Sequence, residues 1–521
     1  MEALGAEALR NPESAAGGAG IGDGGGGAGA VVDWEALQQR ITLWLRFSVV
    51  VVRTLFVREL TLAASVFVVD KEEERAQPSQ EPPQAAAAVA AASQMMRVDH
   101  QRMEGLAARA FEGSVGPCMS LLQGFAQAVA LGRLMPEKVF ALLHMIDTVE
   151  ELMLELQRAA ASLRQRRRRH HGGTANIKVL TAHMRQLLQT LVEGAREIFE
   201  ELEEAVRKDT SKHVVPNGSV HPLTSYVFNY VRRLLEYDSA FRALFSGPGD
   251  GDAKRRRRQR ERRRHGADDD DDDDEEEDLA PEDLQDDEDG DEDEDEGGDG
   301  ERAAALHGLW PGRARSDAQL VREERRAAVA VGALFDALRG NLEGKARSQY
   351  PKSVAQQHFF LMNNLHYVVH SVAQYELLPL LGERWGRGFE SAAEAEAQTF
   401  VEATWGKLAG QLRSAEHSVG GSATAGAAVS KLPKAQRHAV KDAFRAFNAE
   451  LMEAIAQQTG WAVTDDSLRA RVRALVVAAL VEPYRHFHAL AQRLPFTKNP
   501  HKYFKYTPDE VQQMTTALFH A

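Results

Sequence analysis

The feature that most constrains the fold is a helical spacing of apolar residues that recurs along the chain. Between residues 139 and 156 the apolar side chains follow at steps of three and four, which places them on one face of an α-helix. This face consists of Val139, Leu142, Leu143, Ile146, Val149, Met153 and Leu156. Similar stripes begin at Val401, Val440 and Leu468. Each stripe has to pack against another helix, so the sequence predicts helical bundles.

Patterns typical of β-strands are scarce. The β-branched run at residues 48–52 lies inside a segment rich in helix-forming residues, and we predict it as helix. Amphipathic helices joined by short loops, without strands between them, predict an all-α chain. A single hydrophobic core stops growing at about 250–300 residues, and this chain has 521. We therefore expect an elongated rod of stacked antiparallel helical bundles.

Low-complexity segments suggest where these bundles are separated. Five segments bury too little apolar surface to offset chain entropy and are predicted to be disordered: residues 1–30, 71–95, 159–175, 247–305 and 414–430. The resulting domain prediction is a Gly/Ala-rich tail (1–30), N-terminal and first middle bundles with two loops (31–246), a charged insertion (247–305), a middle bundle (306–430) and a basic C-terminal bundle (431–521).

The charged insertion offers an alternative function. Residues 254–264 contain nine Lys and Arg, and residues 268–301 contain 25 Asp and Glu with no Lys or Arg. The pattern is typical of a nuclear-import or nucleic-acid-binding patch followed by a histone-binding tail, which would make the protein a nuclear chaperone or nucleic-acid-binding protein. Adjacent opposite charges neutralise each other, however, and no aromatic residue is interleaved to stack on bases. We favour a solvated loop and expect no nucleic-acid partner.

Signatures of catalysis or of cofactor binding are absent or degenerate. The glycines of residues 20–25 fit a dinucleotide fingerprint by their letters, but they lie in a Gly-rich tail with no preceding strand. His486 and His488 are two residues apart and would point to different sides of a helix. His221 and His366 sit in apolar sequence and are predicted to be packing residues. We expect no catalytic, cofactor-binding or metal-binding residues and no enzyme.

Cellular location is constrained by cysteine content and hydropathy. Cys118 is the only cysteine, so an intrachain disulfide is impossible and a reducing compartment is favoured. The most apolar stretch, residues 41–69, is interrupted by arginine and glutamate, whereas a membrane span needs about 20 nearly uninterrupted apolar residues. We therefore expect a cytoplasmic protein without a transmembrane segment.

The C-terminal end combines a helix start signal with a basic, aromatic segment. Residues 507–510, Thr-Pro-Asp-Glu, form a capping-box pattern, and Val511, Met514 and Leu518 are the predicted apolar face of the helix that follows. Residues 431–521 contain 13 Lys and Arg against 8 Asp and Glu, which favours an anionic partner.

Three lysines precede this last helix. Lys498, Lys502 and Lys505 recur at steps of four and three, so they could share one face of a partly helical segment. The interleaved aromatics at positions 496, 503, 504 and 506 could anchor the segment or enter an interface. An anionic membrane surface would suit these lysines, and an ordinary solvated face remains the alternative.

Three separated strings resemble one known family. Residues 215–230 read VPNGSVHPLTSYVFNY, residues 359–369 read FFLMNNLHYVV, and residues 502–509 read KYFKYTPD. In this order they resemble the VP-G-VHPLT-YV-NY, FLMNNLHY and KYIKY segments of the seventy-kilodalton subunit family of the exocyst, especially its plant and green-algal members.

The resemblance implies a rod of stacked helical bundles that holds secretory vesicles at the plasma membrane before fusion. It implies other exocyst subunits and a Rho-type small GTPase as partners, and no cofactor. In that family the C-terminal bundle binds phosphatidylinositol bisphosphate, and its two closing lysines match Lys502 and Lys505, with Lys498 just upstream. The protein would then be cytoplasmic and peripherally recruited to the plasma membrane.

Overall fold

The computed structural model describes residues 34–66, 83–132, 135–166, 174–211, 213–246, 317–423 and 432–520. Every secondary-structure element within these ranges is helical, and none of the described residues forms a β-strand. The prediction of an all-α chain is confirmed. The predicted tail, residues 1–30, and the charged insertion, residues 247–305, lie outside the described residues.

The first of two compact units comprises Met1–Ile198 and Tyr237–Glu323. Its described helices are α1 (Trp34–Val50), a π-helical segment (Val51–Phe56), α2 (Val57–Val66), α3 (Pro83–Leu131), α4 (Lys138–Arg166), the first part of α5 (Thr174–Arg207), and α7 (Asp238–Ala243). All seven residues of the predicted stripe on α4 are buried. Trp44 of α1 is also buried, and its Nε1 donates to the Leu122 carbonyl of α3 at 3.2 Å.

The second unit comprises Phe199–Glu236 and Glu324–Ala521. Its helices are α6 (Pro222–Leu234), followed by a 3₁₀ turn (Leu235–Tyr237), then α8 (Asp317–Gln349), α9 (Val354–Gln374), α10 (Leu378–Leu381), α11 (Glu383–Val401), α12 (Lys407–Ala423), α13 (Lys434–Gln458), α14 (Asp466–Val476), α15 (Glu482–Gln492) and α16 (Pro508–Thr516). π-Helical segments, Glu402–Gly406 and Val477–Val481, continue α11 into α12 and α14 into α15.

Several segments predicted to be loops are helical. The predicted loop 71–95 is wrong from Pro83 onward, where α3 begins, and the loop 159–175 is wrong at both ends because α4 continues to Arg166 and α5 begins at Thr174. Helix α12 likewise runs to Ala423, inside the predicted loop 414–430. The alanine-rich composition that suggested disorder is also the composition with the highest helix propensity, and proline is favoured in the first turn. The remaining residues of these three loops lie outside the described residues.

The chain divides differently from the predicted domains. Residues Phe199–Glu236, placed by prediction in a domain 31–246, belong to the second unit, and most of the predicted domains 306–430 and 431–521 share that unit. A contact between α6 and α9 shows why, since the Phe228 and Tyr367 rings pack edge to face with centroids 6.1 Å apart. Contacts this distant in sequence leave no local pattern from which a boundary could be predicted.

An aromatic cluster forms the core of the second unit. Phe359 of α9, Phe400 of α11 and Trp461 lie within 6.0 Å of one another between ring centroids. Phe519 completes the cluster at 5.5 Å from Phe359. The apolar face predicted for the last helix consisted of residues 511, 514 and 518 and did not include Phe519. Its positive φ of 62° turns the chain end back onto the core, which no periodicity indicates.

Two of the three family-like strings meet inside this unit. Asn364 on α9 is fully buried, and its Oδ1 accepts hydrogen bonds from the His221 amide at 2.8 Å and the Thr224 hydroxyl at 2.6 Å. The Asn364 Nδ2 donates to the carbonyls of Phe360 at 2.7 Å and Ser219 at 3.4 Å. A single asparagine therefore fastens the loop before α6 to the middle of α9.

The neighbouring asparagine completes this junction. Asn363 Nδ2 donates to the carbonyls of Gly218 at 2.8 Å and Ala462 at 3.2 Å. Gly218 has a φ of 67°, and a Cβ at this position would lie 2.7 Å from the Phe359 ring. Both the backbone conformation and the close approach require glycine. The two strings thus form one packed junction.

His221 has a structural role in the same junction. It caps α6, with its Nδ1 accepting from the Leu223 amide at 3.1 Å and its Nε2 within hydrogen-bond distance of the His213 carbonyl at 3.2 Å. An Nδ1 that accepts leaves the proton on Nε2, which then donates to His213. Burial lowers the pKa of His221, consistent with this neutral ring.

Candidate functional site

The basic segment before α16 runs over the surface of the C-terminal helices. After α15 ends at Gln492, the chain forms one 3₁₀ turn, Pro500–Lys502, and reaches α16 at Pro508. The predicted capping box is confirmed, because the Thr507 side chain accepts from the Glu510 amide while the Glu510 carboxylate accepts from the Thr507 amide at 2.7 Å. These reciprocal bonds fix the point at which the segment ends.

Aromatic side chains anchor the segment to the core. Phe496 and Tyr503 are buried, and Phe504 and Tyr506 are partly buried against the same cluster. Phe444 of α13 is the common contact, with ring centroids 6.1 Å from Phe496 and 5.0 Å from Phe504. Of the two roles that the sequence left open for these residues, the structure gives them the role of anchors.

Two buried side chains also hold the backbone of the segment. Asn448 Nδ2 donates to the Tyr503 carbonyl at 3.0 Å, and the Tyr484 hydroxyl donates to the Tyr506 carbonyl at 2.7 Å. Burial, with a smaller contribution from Glu510, raises the pKa of Tyr484, so its hydroxyl remains a donor across the physiological range. Side-chain anchors and backbone bonds together give the segment a defined course.

All three predicted lysines are exposed, but they do not lie on one helix. Lys498 precedes the 3₁₀ turn, Lys502 ends it, and Lys505 follows it in irregular backbone. The expectation of a shared helical face is therefore wrong for this segment. The anchors determine the course of the backbone: Tyr503 and Phe504 turn inward between Lys502 and Lys505, and the lysines remain outside.

The three lysines carry uncompensated charge within the part of the chain that the structure describes. None of their ammonium nitrogens lies within 4.0 Å of a carboxylate oxygen of another described residue. Because each head group is exposed, it is available to an external anion.

Helix α13 brings two further cations to the segment. The Lys441 Nζ lies 5.9 Å from the centre of the Tyr503 ring, and the Arg445 Cζ lies 5.5 Å from it. The Arg445 guanidinium also donates to the Tyr503 hydroxyl at 3.3 Å and pairs with Asp442 at 2.9 Å. The Tyr503 ring thus brings these two cations beside the lysine segment.

Three other basic residues of the C-terminal region have different partners. Arg469 donates to the Val463 carbonyl at 3.0 Å, and Arg473 donates to the Leu518 carbonyl at 2.6 Å. Arg471 pairs with Glu394 of α11 at 3.1 Å. These arginines join helices and chain ends, so we do not include them in the candidate surface.

The candidate surface therefore consists of Lys498, Lys502 and Lys505, with Lys441 and Arg445 beside Tyr503. Its chemistry is that of several cations on an anchored aromatic base, which suits a polyanionic head group. None of the helices within the described ranges has a stretch long and apolar enough to cross a bilayer. Fold and surface define an all-α protein whose clearest surface feature is a basic docking segment.

Comparison with known proteins places the chain in a family. The family model that describes the C-terminal part of the Exo70 protein of the exocyst complex matches residues 42–282 and 299–516. The chain therefore belongs to the Exo70 family of exocyst subunits. This is a family of tethering-complex subunits and not of enzymes, in agreement with the sequence-based prediction.

Plant proteins are among the similar relatives. The chain is similar to exocyst complex component EXO70A1 of Arabidopsis thaliana, with 27% identity over 491 residues, covering 94% of this chain and 58% of the relative. It is also 27% identical over 432 residues to EXO70C2 of the same plant, covering 80% of this chain and 48% of that protein. The chain thus spans about half the length of these relatives.

A solved structure with a detectable similarity is that of Exo70 from S. cerevisiae, with a TM-score of 0.47 and 13% identity, covering 99% of this chain and 94% of that one.

Proposed function

We propose that this chain is an exocyst-type subunit that tethers secretory vesicles to the plasma membrane and binds an anionic phosphoinositide through its basic C-terminal segment. The observation that carries the lipid-binding role is the exposure of Lys498, Lys502 and Lys505 on a segment held in place by buried aromatics. Family membership and the exocyst names of the relatives support the tethering role.

The anchoring matters because it lowers the entropic cost of binding. A flexible lysine tail must be ordered when it meets a ligand, whereas this segment is already fixed by Phe496, Tyr503 and two backbone hydrogen bonds. Only the lysine side chains remain to be ordered. Phosphoinositide head groups carry several negative charges, so they should bind such a preformed group of cations more tightly than a singly charged head group does.

The expected affinity is modest. Each basic residue close to an anionic leaflet contributes about 1 kcal/mol, so the three lysines supply about 3 kcal/mol. Lys441 and Arg445 add to this only in part, because Arg445 is paired with Asp442. Binding of this strength lies near the millimolar range. Useful recruitment therefore requires a second attachment, which other exocyst subunits would supply through avidity, with a Rho-type small GTPase as a further expected partner.

Vesicle co-sedimentation tests the lipid site. Wild-type protein and a Lys502→Ala, Lys505→Ala variant are compared on phosphatidylcholine vesicles containing phosphatidylinositol 4,5-bisphosphate, and on phosphatidylserine vesicles of equal charge. Losing two lysines should remove about 2 kcal/mol, which is about a 30-fold lower partition coefficient. The loss should shrink as salt is raised, because exposed charges are screened.

A matched control is available in the same unit. Lys352 and Lys407 are exposed and lie outside the segment, so Lys352→Ala with Lys407→Ala removes the same charge from elsewhere. This variant should bind nearly as the wild type does. If wild type and the segment variant bound equally at physiological salt, the lipid site would be rejected. If both variants lost binding equally, the binding would depend on the net charge of the protein and not on this segment.

The tethering role has its own test, because it does not depend on the lysines. Affinity purification of the tagged full chain from its native cells should recover other exocyst subunits. Recovery of nuclear proteins in place of those subunits would favour the alternative of a nuclear chaperone or nucleic-acid-binding protein. That alternative depends on residues 254–301, which lie outside the described residues.

A further inference from the structure

A cluster of ligand-type side chains lies in the second unit and has no part in the proposed lipid surface. His366 and His370 occupy consecutive turns on one face of α9, and Asp465 stands at the N-terminus of α14. One ligand atom from each residue lies within 4.8 Å of the other two. From its apolar sequence surroundings His366 was predicted to be a packing residue, and Asp465, its partner here, is distant along the chain.

The distances suit a shared ion. The His366 Nε2 lies 3.3 Å from Asp465 Oδ1, and the His370 Nδ1 lies 3.8 Å from Asp465 Oδ2. Two ligands of a tetrahedral zinc ion at ordinary bond lengths are about 3.3 Å apart, so the 3.8 Å between His370 Nδ1 and Asp465 Oδ2 is close to the required separation. Small side-chain rotations would bring three ligands onto one ion, since the His370 side chain is 55% exposed and free to adjust.

The hydrogen bonding of the cluster leaves ligand atoms unused. The Nε2 of His366 is buried and makes no well-directed hydrogen bond with the described residues, even though a carboxylate oxygen is close. Asp465 Oδ1 is already used, because it accepts from the Leu468 amide at 2.7 Å and the Ser467 hydroxyl at 2.6 Å. These two bonds orient the carboxylate and leave Oδ2 facing His370. A buried ring nitrogen whose nearest acceptor is poorly aligned is stabilised when an ion binds it.

The nearest opposing positive charge already has a partner. Arg471 is the nearby cation that would oppose an ion, and it is paired with Glu394 at 3.1 Å.

We propose that His366, His370 and Asp465 form a binding site for a divalent first-row transition ion, with Zn²⁺ as the fitting example. Two imidazoles favour zinc and its neighbours over Mg²⁺ or Ca²⁺, which prefer all-oxygen sites. Three protein ligands leave one position for water. The ion joins α9, which carries the junction asparagines, to the start of α14, and so stabilises the second unit. The proposal stands independently of the lipid surface.

Titration calorimetry of the chelator-treated full chain with zinc chloride at neutral pH tests the site, together with metal analysis of the dialysed complex. His370→Ala removes an exposed ligand with little effect on packing. Asp465→Ser removes the carboxylate but keeps a residue that caps helices well. Each variant should bind zinc at least about tenfold more weakly than the wild type, and Mg²⁺ should produce no comparable binding.

The matched control is His486→Ala. His486 is exposed and pairs with Glu416 at 2.8 Å, so it represents an ordinary surface histidine that could bind zinc weakly. This variant should keep wild-type affinity. Absence of zinc binding by the wild type, or affinity unchanged in both His370→Ala and Asp465→Ser, would overturn the proposal. Circular dichroism of each variant confirms that a loss of binding is not a loss of folding.

Discussion

Replacing Asn364 with alanine tests the junction between the loop before α6 and helix α9. The substitution removes the oxygen that accepts from the His221 amide and the Thr224 hydroxyl at a fully buried position. Each buried polar group left without a partner costs about 1–3 kcal/mol. The hydroxyl can rotate toward another acceptor, whereas the amide cannot. We therefore expect a loss of about 3 kcal/mol in the free energy of unfolding of the second unit.

The size of this loss makes it measurable by heat and by denaturant. For 150–250 residues, 1 kcal/mol shifts the melting temperature by about 2–4 °C, so the transition of the second unit should fall by about 6–12 °C. Scanning calorimetry measures this fall in the melting temperature. Urea unfolding followed by tryptophan fluorescence gives a second measure, because Trp461 packs at 5.0 Å from Phe359 beside the junction.

Two further variants show how large the loss of stability in Asn364→Ala is by comparison. Thr224→Val removes one of the two bonds to Asn364 while keeping the side-chain shape, and should cost about 1–2 kcal/mol. Asn499→Ala changes an exposed asparagine of the same unit and should stay within about 0.5 kcal/mol of the wild type. If Asn364→Ala were as stable as Asn499→Ala, the buried hydrogen bonds would not be what joins the loop to α9.

Three other predictions concern single local features. Gly218→Ala should lower the free energy of unfolding by about 2 kcal/mol or more, because it combines a positive φ with a contact of 2.7 Å to Phe359; a urea midpoint equal to that of the wild type would contradict this. Thr507→Ala removes the cap of α16 and should cost about 1 kcal/mol in the same assay. Burial lowers the pKa of Lys138 to about 8, well below its value in the unfolded chain. Between pH 8 and the unfolded pKa, near 10.4, the unfolded chain therefore binds more protons at this site. The wild type should gain stability relative to Lys138→Met by up to about 1.4 kcal/mol per pH unit in that interval. Parallel pH profiles for the two proteins would exclude this effect.

The predicted helical faces agree closely with the structure. The stripe that begins at Val440 is buried at Phe444, Phe447 and Leu451, and its last residue, Ile455, is partly buried. On the last helix Val511 and Leu518 are buried, and Met514 is partly buried. The capping box was predicted correctly for the same reason, since both features depend on residues within one or two turns. Loop boundaries were less predictable, because alanine-rich sequence is compatible with disorder and with helix, and packing against neighbours decides between them.

The sequence indicated the three lysines of the candidate surface, but neither their arrangement nor the two cations of α13 beside Tyr503. Lys498, Lys502 and Lys505 are exposed as a basic segment would suggest. Their helical spacing was misleading, because Pro500 and the inward-turning aromatic at 503 replace a continuous helix with one 3₁₀ turn. Nothing near the segment in sequence indicated Asn448 as a partner of the Tyr503 carbonyl.

The sequence by itself determined the helical class, the apolar faces, the cap of the last helix and the excess of positive charge at the C-terminal end. Each of these depends on interactions between residues a few positions apart, which a linear pattern records. Only the tertiary structure decided that Asn364 joins two distant strings, that Phe519 enters the core, and that Asp465 meets His366 and His370. These contacts form when separate helices bury their faces together, and the free energy of that burial depends on three-dimensional packing that no local spacing specifies.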